Sequence, residues 1–459
     1  MFNFIRSLSN KNNQGSENLS NTDETPKVVE PSTDKVKPAL TSDIQPPKLE
    51  NTGMYGVLKN AVDTICATTE ALPTALATEI MAWISVSIPR GSVYIPFGTS
   101  KTEARLNTII VAPTGEGKGI ATRQFSAVRN LISKSHQDLF CPIFQGGLST
   151  PEGLISMIRD TDSDNEDKGL EESSGSQLLV IEEEMAAIFK LANNPNSNFS
   201  PYFRVFFDGT KVAPLTKYNK ISCEEPHVAF YGHITPQELL TVVKSVDLYN
   251  GFLNRFPIYH AKREKSIPIP EAISENLIQE LASELIDILD WVKEEDREMQ
   301  RSNCFKLLWE ENYERLRTLG QENSVERALL SRAAHYATMY SMIFAVMDKS
   351  IVINAEHLKA ALAWIDYWHQ SITYIYSTES KRAKYAELEE KGQKILDVIV
   401  REIQASGKGY IRKTPITKAF SGKYKSQEIS EIIEYLQNKT NPKIKVEKEA
   451  RNSLKISLC

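Results

Sequence analysis

The stretch at residues 106–119 reads LNTIIVAPTGEGKG, and it decides the predicted fold of the chain. A short apolar run ends in a glycine-rich turn with one lysine, and residues 120–131 then show a helical pattern. A strand, a glycine-rich loop and a helix in that order are the setting of a phosphate-binding P-loop. Glycines let backbone N–H groups close around phosphate oxygens, and the amino terminus of the helix adds positive potential. The stretch therefore predicts a nucleotide site.

The predicted nucleotide-binding residues are consecutive and belong to the turn and the first residues of the helix. They are Pro113, Thr114, Gly115, Glu116, Gly117, Lys118, Gly119 and Ile120. Lys118 can reach the terminal phosphates of ATP, whereas Gly119 stands where the usual pattern has a serine or threonine that ligates Mg²⁺. Thr114, Thr122 or water would then supply the missing oxygen. A glycine-rich turn with a solvated lysine is the alternative interpretation.

A second candidate element is the apolar run at residues 178–181, which ends in three consecutive glutamates. Carboxylates that follow a strand in such a core hold Mg²⁺, often through water, and polarise the attacking water. We expect Glu182 on the metal side and Glu183 as the catalytic base, with Glu184 as the second choice for the base. The alternative is an acidic helix start, because carboxylates are favourable at helix amino termini.

Two further polar residues lie near the ends of predicted strands. His233 would lie beside the γ-phosphate and sense hydrolysis, although residues 235–238 also fit a plain helix start with a capping box. Arg255 precedes a strand late in the core, which is the position of an arginine finger that crosses a subunit interface to the transferring phosphate. A surface salt bridge is the other interpretation of Arg255, and Arg332 is a weaker candidate for approaching the nucleotide.

Periodicity and composition divide the chain into five parts. The parts are a disordered tail (1–53), a helical segment (54–100), a P-loop NTPase core (101–268), a helical domain (269–378) and a winged-helix-like basic module (379–459). Within the core, short apolar strands alternate with helices, which predicts a parallel sheet. The predicted strands are 106–111, 143–145, 178–181, 228–231 and 256–261. The fold class is α/β, with a P-loop core, a flanking helical domain and a C-terminal winged-helix-like module.

Local patterns add detail outside the strands. An acidic insert (160–175) is expected to be a solvated loop, since it lacks the spacing of a calcium loop. We expect a continuous helical run at residues 328–337 and a charged connector at 376–390. A proline at position 73 marks the start of the second helix of the lead-in.

The C-terminal part is basic while the rest of the chain is acidic. Residues 381–459 hold 18 Lys+Arg and 10 Asp+Glu, which is a net charge of +8. Because the whole chain has a net charge of −5, residues 1–380 have a net charge of −13. Helices at 395–403, 413–420 (with Thr414 as its cap) and 426–438, the recognition helix, precede a wing hairpin at 444–447 and 454–457. Phosphate contacts to DNA are expected from Lys413, Lys418, Lys423, Lys425, Lys443, Lys445 and Arg451. A small basic helical cap without DNA contact is the alternative.

Bulk properties exclude several classes of protein. The chain has 459 residues, 41% of them hydrophobic, and no apolar stretch long enough to span a bilayer. Polar residues follow the first six positions, so we expect no signal peptide, and five scattered cysteines without metal-ligand spacing indicate reduced thiols. We therefore expect a cytoplasmic protein without a membrane partner. A net charge of −5 argues against a protein that coats nucleic acid uniformly.

Taken together, the motifs resemble the P-loop domain of uncharacterised function found alone, or fused to primase modules, in replication proteins of phages, plasmids and other mobile elements. The resemblance covers about residues 54–370. It rests on the helical lead-in and on APTGEGK (112–118), LVIEE (179–183), GHITPQE (232–238), NGFLNRF (250–256) and SRAA (331–334). The Gly-Phe-Leu-x-Arg-Phe string, spaced after Thr-Pro-x-Glu, is the more specific part.

The resemblance implies a RecA-like or AAA-like ATPase core that assembles into a ring and acts on DNA. We expect an ATP-dependent, helicase-like DNA motor or switch in the replication or maintenance of a mobile element. ATP and Mg²⁺ would bind between subunits of a homo-oligomer, with a hexameric ring as one form, and DNA would be single-stranded or an origin duplex. The alternatives are a nucleotide-gated DNA-binding initiator without unwinding, and a defence-system ATPase that acts with a protein effector.

Overall fold

The computed structural model of the protein describes most of the chain beyond residue 44. The described residues are 45–139, 141–158, 176–194, 197–214, 221–243, 251–438, 443–448 and 454–459, with the backbone alone for 378–386 and 438. The acidic insert, Arg451 and the tail up to residue 44 lie outside the described residues, so the expectations for them stay predictions.

Two helices and a β-hairpin precede the predicted P-loop strand. They are α1 (Val57–Thr68), α2 (Pro73–Ser87), β1 (Val93–Phe97) and β2 (Ser100–Thr102). The predicted helix start at Pro73 is confirmed, because its missing N–H costs nothing in a first turn. Every residue of α2 after Pro73 is buried, since the helix packs between the central sheet and its neighbours α1 and the helix at 118–135. A helix that is apolar on all sides belongs inside the protein.

The centre of the structure is a five-stranded, wholly parallel sheet. Its strands are β3 (Thr108–Val111), β4 (Ile143–Gln145), β5 (Gln177–Glu182), β6 (His227–Ile234) and β7 (Ile258–His260), in the order β4-β5-β6-β3-β7. All five predicted strands are confirmed, and so is the α/β class. Every residue of β3 and β6 is buried, as expected where helices cover both faces of a sheet.

Helices join the strands of this sheet. They are α3 (Lys118–Ser135), α4 (Pro151–Ile158), α5 (Met185–Ala192), α6 (Phe199–Asp208) and α7 (Pro236–Val242). Because all strands run in one direction, their carboxyl ends meet along one edge of the sheet and their amino ends along the other. The glycine-rich turn follows β3 and the glutamates follow β5, and these two strands are separated by β6 alone. The order therefore brings the turn and the glutamates to the same edge.

The region after the sheet is helical, as predicted. It contains α8 (Glu275–Lys293), α9 (Asn303–Arg317), α10 (Val325–Leu329), α11 (Ala333–Met347) and the first part of α12 (Ala355–Ser406). Three two-residue strands lie between them: β8 (Arg297–Glu298), β9 (Gln300–Arg301) and β10 (Val352–Ile353). β8 pairs with β1, and β9 pairs with β10.

The predicted continuous helix at residues 328–337 is wrong. α10 ends at Leu329 and α11 begins at Ala333. The side chain of Asn254 donates a hydrogen bond to Ser331 (2.8 Å) and accepts one from Arg332 (3.3 Å). These contacts with a distant part of the chain hold the break between the two helices.

The C-terminal module follows without a separate linker. The predicted connector at 376–390 is helical and belongs to α12, a single helix of 52 residues. β11 (Ile411–Arg412), α13 (Lys413–Ala419), α14 (Ser426–Asn438), β12 (Ile444–Lys448) and β13 (Leu454–Leu458) complete the module. The three strands form an antiparallel sheet in the order β11-β13-β12, and the predicted bounds of α14 are confirmed.

One helix cap in this module differs from the prediction. Thr414 does not cap α13, because the helix already begins at Lys413 and Arg412 is the capping residue. Arg412 pairs with Lys455 in the sheet, and this pairing holds it in an extended conformation (φ −94°, ψ 160°). The chain therefore turns into the helix two residues earlier than the sequence pattern suggests.

Candidate functional site

The glycine-rich turn between β3 and α3 is open. Gly115 (φ +85°) and Gly117 (φ +78°) adopt left-handed conformations that favour glycine. No described atom lies within 4 Å of the place where a Cβ on Gly115 would be, and the neighbouring residues Pro113 and Thr114 are exposed. The space beside Gly115 is therefore open to an anion, whereas the N–H of Glu116 donates to the carbonyl of Pro113 (3.4 Å) and Ile120 fills the space beside Gly117.

Lys118 is the first residue of α3, and its side chain is folded back over the turn. Its ammonium group donates a hydrogen bond to the carbonyl of Ala112, at 3.1 Å. Burial lowers the pKa of this ammonium, and the nearby carboxylate of Glu238 opposes that shift. The ammonium is thus half-buried with the carbonyl of Ala112 as its acceptor, and its predicted contact with phosphates stays a prediction.

Glu183, and not Glu182, faces the start of α3. A Cβ built on Gly119 would lie 3.5 Å from a carboxylate oxygen of Glu183. The side-chain amide of Gln145, at the end of β4, donates to the same carboxylate at 3.2 Å. Glu182 is buried and accepts the backbone N–H of Glu184 (3.2 Å), so it shapes the turn after β5. Gln145 escaped prediction because no motif links it to Glu183.

The residues at this edge fit a metal that is held mainly by a nucleotide. Among the described residues, no group of three or more His, Cys, Asp or Glu side chains could form a metal cage. Mg²⁺ in nucleotide sites needs only one or two carboxylates, because phosphates and water fill the other positions. Glu183 meets that need beside Gly119. The metal role predicted for Glu182 stays a prediction, although its carboxylate is turned toward its own loop.

Thr122 is not available to a metal at the turn. Its hydroxyl is buried and donates to Glu79 on α2, at 2.8 Å. Glu79 also forms a buried ion pair with Arg129. Burial raises the pKa of the Glu79 carboxyl, and the guanidinium of Arg129 opposes that rise. This group of side chains anchors α3 against α2, and of the two predicted oxygen donors only Thr114 remains at the turn.

His233 lies in β6, directly beside β3, where it is paired in register with Ile110. Its Nε2 is 3.0 Å from the hydroxyl of Tyr231, and that hydroxyl donates to the carbonyl of Ala75. Burial, with a smaller effect of Lys118, lowers the pKa of His233 to about 4, so the ring is neutral near pH 7. The capping box expected at residues 235–238 is confirmed. The role of His233 beside a γ-phosphate stays a prediction.

Arg255 lies at the opposite, amino edge of the sheet. Its guanidinium pairs with both oxygens of Asp208 (2.8 and 3.1 Å) and lies over the ring of Phe207 (5.5 Å). Arg332 lies over the same ring at 5.1 Å. Strands of this length separate the two edges by about 10–15 Å. Arg255 therefore does not lie beside the turn of its own chain, and its role as an arginine finger stays a prediction.

A cleft of about 250 Å³ adjoins the turn. Its walls are the end of α1, the start of α2 and the segment that follows β7. Across this cleft, Glu70 accepts a hydrogen bond from the guanidinium of Arg263 (2.9 Å) and another from the N–H of Ile267 (2.8 Å). The N–H of Arg263 donates to Glu116 of the turn (2.8 Å). The cleft is built from two stretches, residues 62–73 and 263–265, that are far apart in the chain, so no local motif predicts it.

The predicted DNA-binding residues of the C-terminal module occupy different places. Lys413 is half-buried and donates to the carbonyl of Ser426 (3.0 Å), at the start of α14. The other described ones are exposed, namely Lys418, Lys423, Lys425, Lys443 and Lys445. Lys445 pairs with Glu447 at 3.0 Å. The lysines are therefore spread over several elements instead of forming one helix face.

Comparison with known proteins adds no further assignment. No protein-family model matches the chain, and no curated protein matches it significantly. Among the residues that the structure describes, no helix combines the length and the apolar character needed to cross a membrane. The site is therefore interpreted from its own geometry.

Proposed function

We propose that the protein binds a nucleoside triphosphate, ATP in the first place, at the carboxyl edge of its parallel sheet and hydrolyses it. One observation carries the proposal: an open glycine turn, Lys118 and Glu183 converge there from two strands that β6 separates. Ligands of open parallel sheets bind outside the carboxyl ends of the strands. A P-loop NTPase core is the specific form of this fold that fits the arrangement.

The residues divide the work by their chemistry. Backbone N–H groups of residues 115–119 and the amino terminus of α3 receive the phosphates, and Lys118 neutralises their charge. Bound Mg²⁺ would stabilise the negative charge that develops on the transferring phosphoryl group. Glu183 would hold this ion, directly or through water, because its carboxylate occupies the place beside Gly119 where a hydroxyl is usual. Gln145 keeps that carboxylate in position.

The cleft beside the turn has the size and position for the nucleoside part of the ligand. Its walls are tied to the turn through Glu70, Arg263 and Glu116. A nucleoside in the cleft would therefore contact the same segments that fix the phosphate loop. Binding of the base and the conformation of the turn would be coupled through these hydrogen bonds.

We further propose that the hydrolysis serves a process on DNA. The C-terminal module has a helix, a strand, two helices and a hairpin in the order of a winged-helix module, and it is basic. Assembly into a homo-oligomer would bring Arg255 of one copy toward the triphosphate of the next, with loss of its pair with Asp208. A helicase-like motor or switch of a mobile element is the proposed setting.

A nucleotide-gated DNA-binding switch without unwinding is the second candidate. Two observations favour slow turnover: Gly119 provides no hydroxyl for the metal, and Lys118 is bonded to a protein carbonyl. Such a protein would use the nucleotide to set its oligomeric state. DNA stimulation of hydrolysis with strand separation supports the motor, and nucleotide-dependent assembly without separation supports the switch.

The decisive experiment is ATP turnover by the full chain and by Lys118→Ala, with and without single-stranded DNA. Loss of one charged contact to the transferring phosphate lowers turnover by about 10²–10³-fold. Lys134→Ala, on the exposed last turn of the same helix, is the matched control and should keep full turnover. Equal hydrolysis by Lys118→Ala and the parent protein would reject the site. Turnover indifferent to DNA would reject the DNA-dependent function and favour an ATPase with a protein effector.

A further inference from the structure

The C-terminal module separates its charges onto different elements. Residues 407–459 contain twelve Lys+Arg and five Glu. Three of these glutamates lie in α14, which contains neither lysine nor arginine. The helix that the sequence spacing assigns to DNA recognition is therefore the one acidic helix of a basic module.

The solvent-facing side of α14 is polar and negative. Ile429, Ile432 and Leu436 point into the module's core and are buried. The exposed positions between them are Gln427, Glu431, Glu434 and Gln437. Carboxylates that approach a DNA groove meet the phosphates with like charge, which is unfavourable at the short distances of a groove. The periodicity that predicted α14 reports its packing and not a DNA contact.

The outer face of the small sheet has the opposite character. Strand register places Ile411, Ile456 and Val446 in one row that faces the core. The neighbouring row on the other face is Arg412, Lys455 and Glu447. Side chains alternate between the two faces of a strand, so the residues of this second row face away from the core.

An aromatic ring completes this outer face. Tyr410 immediately precedes β11, and the ammonium of Lys455 lies 4.9 Å from the centre of its ring. Lys445 and Lys455 both pair with the carboxylate of Glu447, at 3.0 and 3.5 Å. We name Tyr410, Arg412, Lys445, Glu447, Lys455 and Ser457 the sheet face. It carries three positive side chains and one carboxylate beside a half-buried ring.

We propose that the sheet face is a binding site for single-stranded DNA. The proposal rests on the DNA contact of the proposed function and names where and how that contact is made. Lysine and arginine side chains receive phosphates, and an aromatic ring stacks on a base, which is how strands without fixed sequence are held. A duplex hides the faces of its bases, so the tyrosine favours a single strand.

The geometry also explains how the face would respond to the ligand. In the free protein, Lys445 and Lys455 both form ion pairs with Glu447, and they lower the pKa of its carboxyl. A phosphate offers the same lysines a partner of equal charge. Binding would exchange protein ion pairs for contacts with the strand, and such contacts weaken as salt rises.

The test is binding of a fluorescein-labelled dT20 strand to the full chain, followed by fluorescence anisotropy at several salt concentrations. Lys445→Gln with Lys455→Gln should weaken binding about tenfold or more and lower the salt slope by about 1.4, since each lost phosphate contact contributes about 0.7. Lys418→Gln with Lys425→Gln removes the same charge from other elements and should weaken binding less than about threefold.

Further variants test whether the ring of Tyr410 stacks on a base and whether the exposed side of α14 contacts the strand. Tyr410→Ala should weaken binding about tenfold, whereas Tyr410→Phe keeps the ring and should bind like the parent protein. Gln427→Ala with Gln437→Ala changes the exposed side of α14 and should have no effect. All variants lie at exposed or half-buried positions, and an unchanged thermal unfolding midpoint confirms that each one is folded.

Several outcomes would overturn the inference. They are equal losses for the two lysine pairs, weaker binding by the α14 variant, or preference for a hairpin duplex of the same length. In each of these cases the proposed DNA-dependent function survives and only the sheet face is rejected. Failure of the parent chain to bind dT20 at low salt would reject both, while the Lys118→Ala comparison tests ATP turnover independently.

Discussion

The two edges of the central sheet are built on opposite principles. At the carboxyl edge, the space beside Gly115 is open, Lys118 donates to a single carbonyl, and Glu183 is exposed. At the amino edge, arginines, acids and histidines are buried in a network of mutual contacts. One edge is open beside the glycine turn, and the other, which we call the locked edge, is held by ion pairs and hydrogen bonds of buried charged side chains.

Glu103 is the centre of the locked edge. Its carboxylate accepts the N–H of Gly91 (2.7 Å) and pairs with Arg90 (3.0 Å) and Arg105 (3.1 Å). The two guanidiniums also donate to carbonyls at the end of α6, which suits the negative end of a helix dipole. These contacts tie the segment before β3, the start of β6 and the end of α6 to one another.

The largest expected effect is therefore on stability, at the amino edge. Glu103→Ala leaves the buried guanidinium of Arg105 and the partly buried one of Arg90 without their carboxylate, and breaking a buried pair in this way costs about 3–5 kcal/mol. Urea unfolding measures this loss of unfolding free energy. ATP turnover per folded molecule should stay close to that of the parent protein, because Glu103 is far from the turn.

An exposed glutamate on α9 provides the control for this variant. Glu310→Ala should change the unfolding free energy by no more than about 0.5 kcal/mol. A similar small change for Glu103→Ala would mean that the amino edge is not locked. Loss of turnover at full stability would mean that the two edges are not separate in function.

The contrast between the edges also marks what the sequence could predict. The five strands and most helix positions followed from apolar periodicity, because a parallel sheet covered on both sides requires continuous apolar runs. The glycine turn followed from a local motif. The locked edge did not, because its ion pairs and hydrogen bonds join Arg90, Glu103 and Arg105 to α6 and to β6, more than a hundred residues later.

The same reason accounts for the errors in detail. The helix break at residues 330–332 depends on Asn254, and the early start of α13 depends on the partner strand of Arg412. The side chain of Glu183 lies near Gly119 because the end of β5 and the start of α3, which are distant in the chain, meet at the same edge of the sheet. Local sequence predicts the helices and strands. The helix break, the early helix start and the position of Glu183 arise from contacts between elements that are far apart in the chain.

A smaller effect on stability should follow from pH. Burial lowers the pKa of His227 to about 3 and that of His335 to about 4, and both lie at the amino edge. Arg105 contributes to both shifts, and Arg332, Arg255 and Asp208 also surround His335. In the unfolded chain a histidine has a pKa of about 6.5. Protons therefore bind the unfolded state first as pH falls.

The sign of the effect follows from this difference. The unfolding free energy is unaffected by these two histidines above about pH 6.5. It falls progressively as pH falls toward about 4, because the unfolded chain binds protons at these rings while the folded state keeps them neutral. Thermal unfolding midpoints between pH 7.5 and 4.5 measure the loss. His335→Gln should flatten this dependence, while a variant that melts with the parent's full pH dependence would show that His335 does not carry the effect.

The smallest expected effect concerns the open edge and one missing hydroxyl. Gly119 has an ordinary helical backbone, and a Cβ there would make a normal contact with Glu183 at 3.5 Å. Serine at this position adds an oxygen beside the carboxylate of Glu183, which is proposed to hold Mg²⁺. Gly119→Ser should lower the Mg²⁺ concentration needed for half-maximal turnover by about tenfold, the low end of the effect of a side chain that supports a metal site.

Alanine at the same position distinguishes the effect of the serine hydroxyl from the effect of replacing glycine in the helix. Gly119→Ala also replaces glycine in a helix and gains about 1 kcal/mol of helix propensity, but it brings no oxygen. The difference between the serine and alanine variants therefore isolates the metal contact. If both need the same Mg²⁺ concentration, Glu183 and the phosphates already satisfy the ion, and slow turnover would have to come from Lys118 held at Ala112. That result would favour a nucleotide-gated switch over a motor, since its limiting step would be rearrangement of the turn and not the chemistry at the metal.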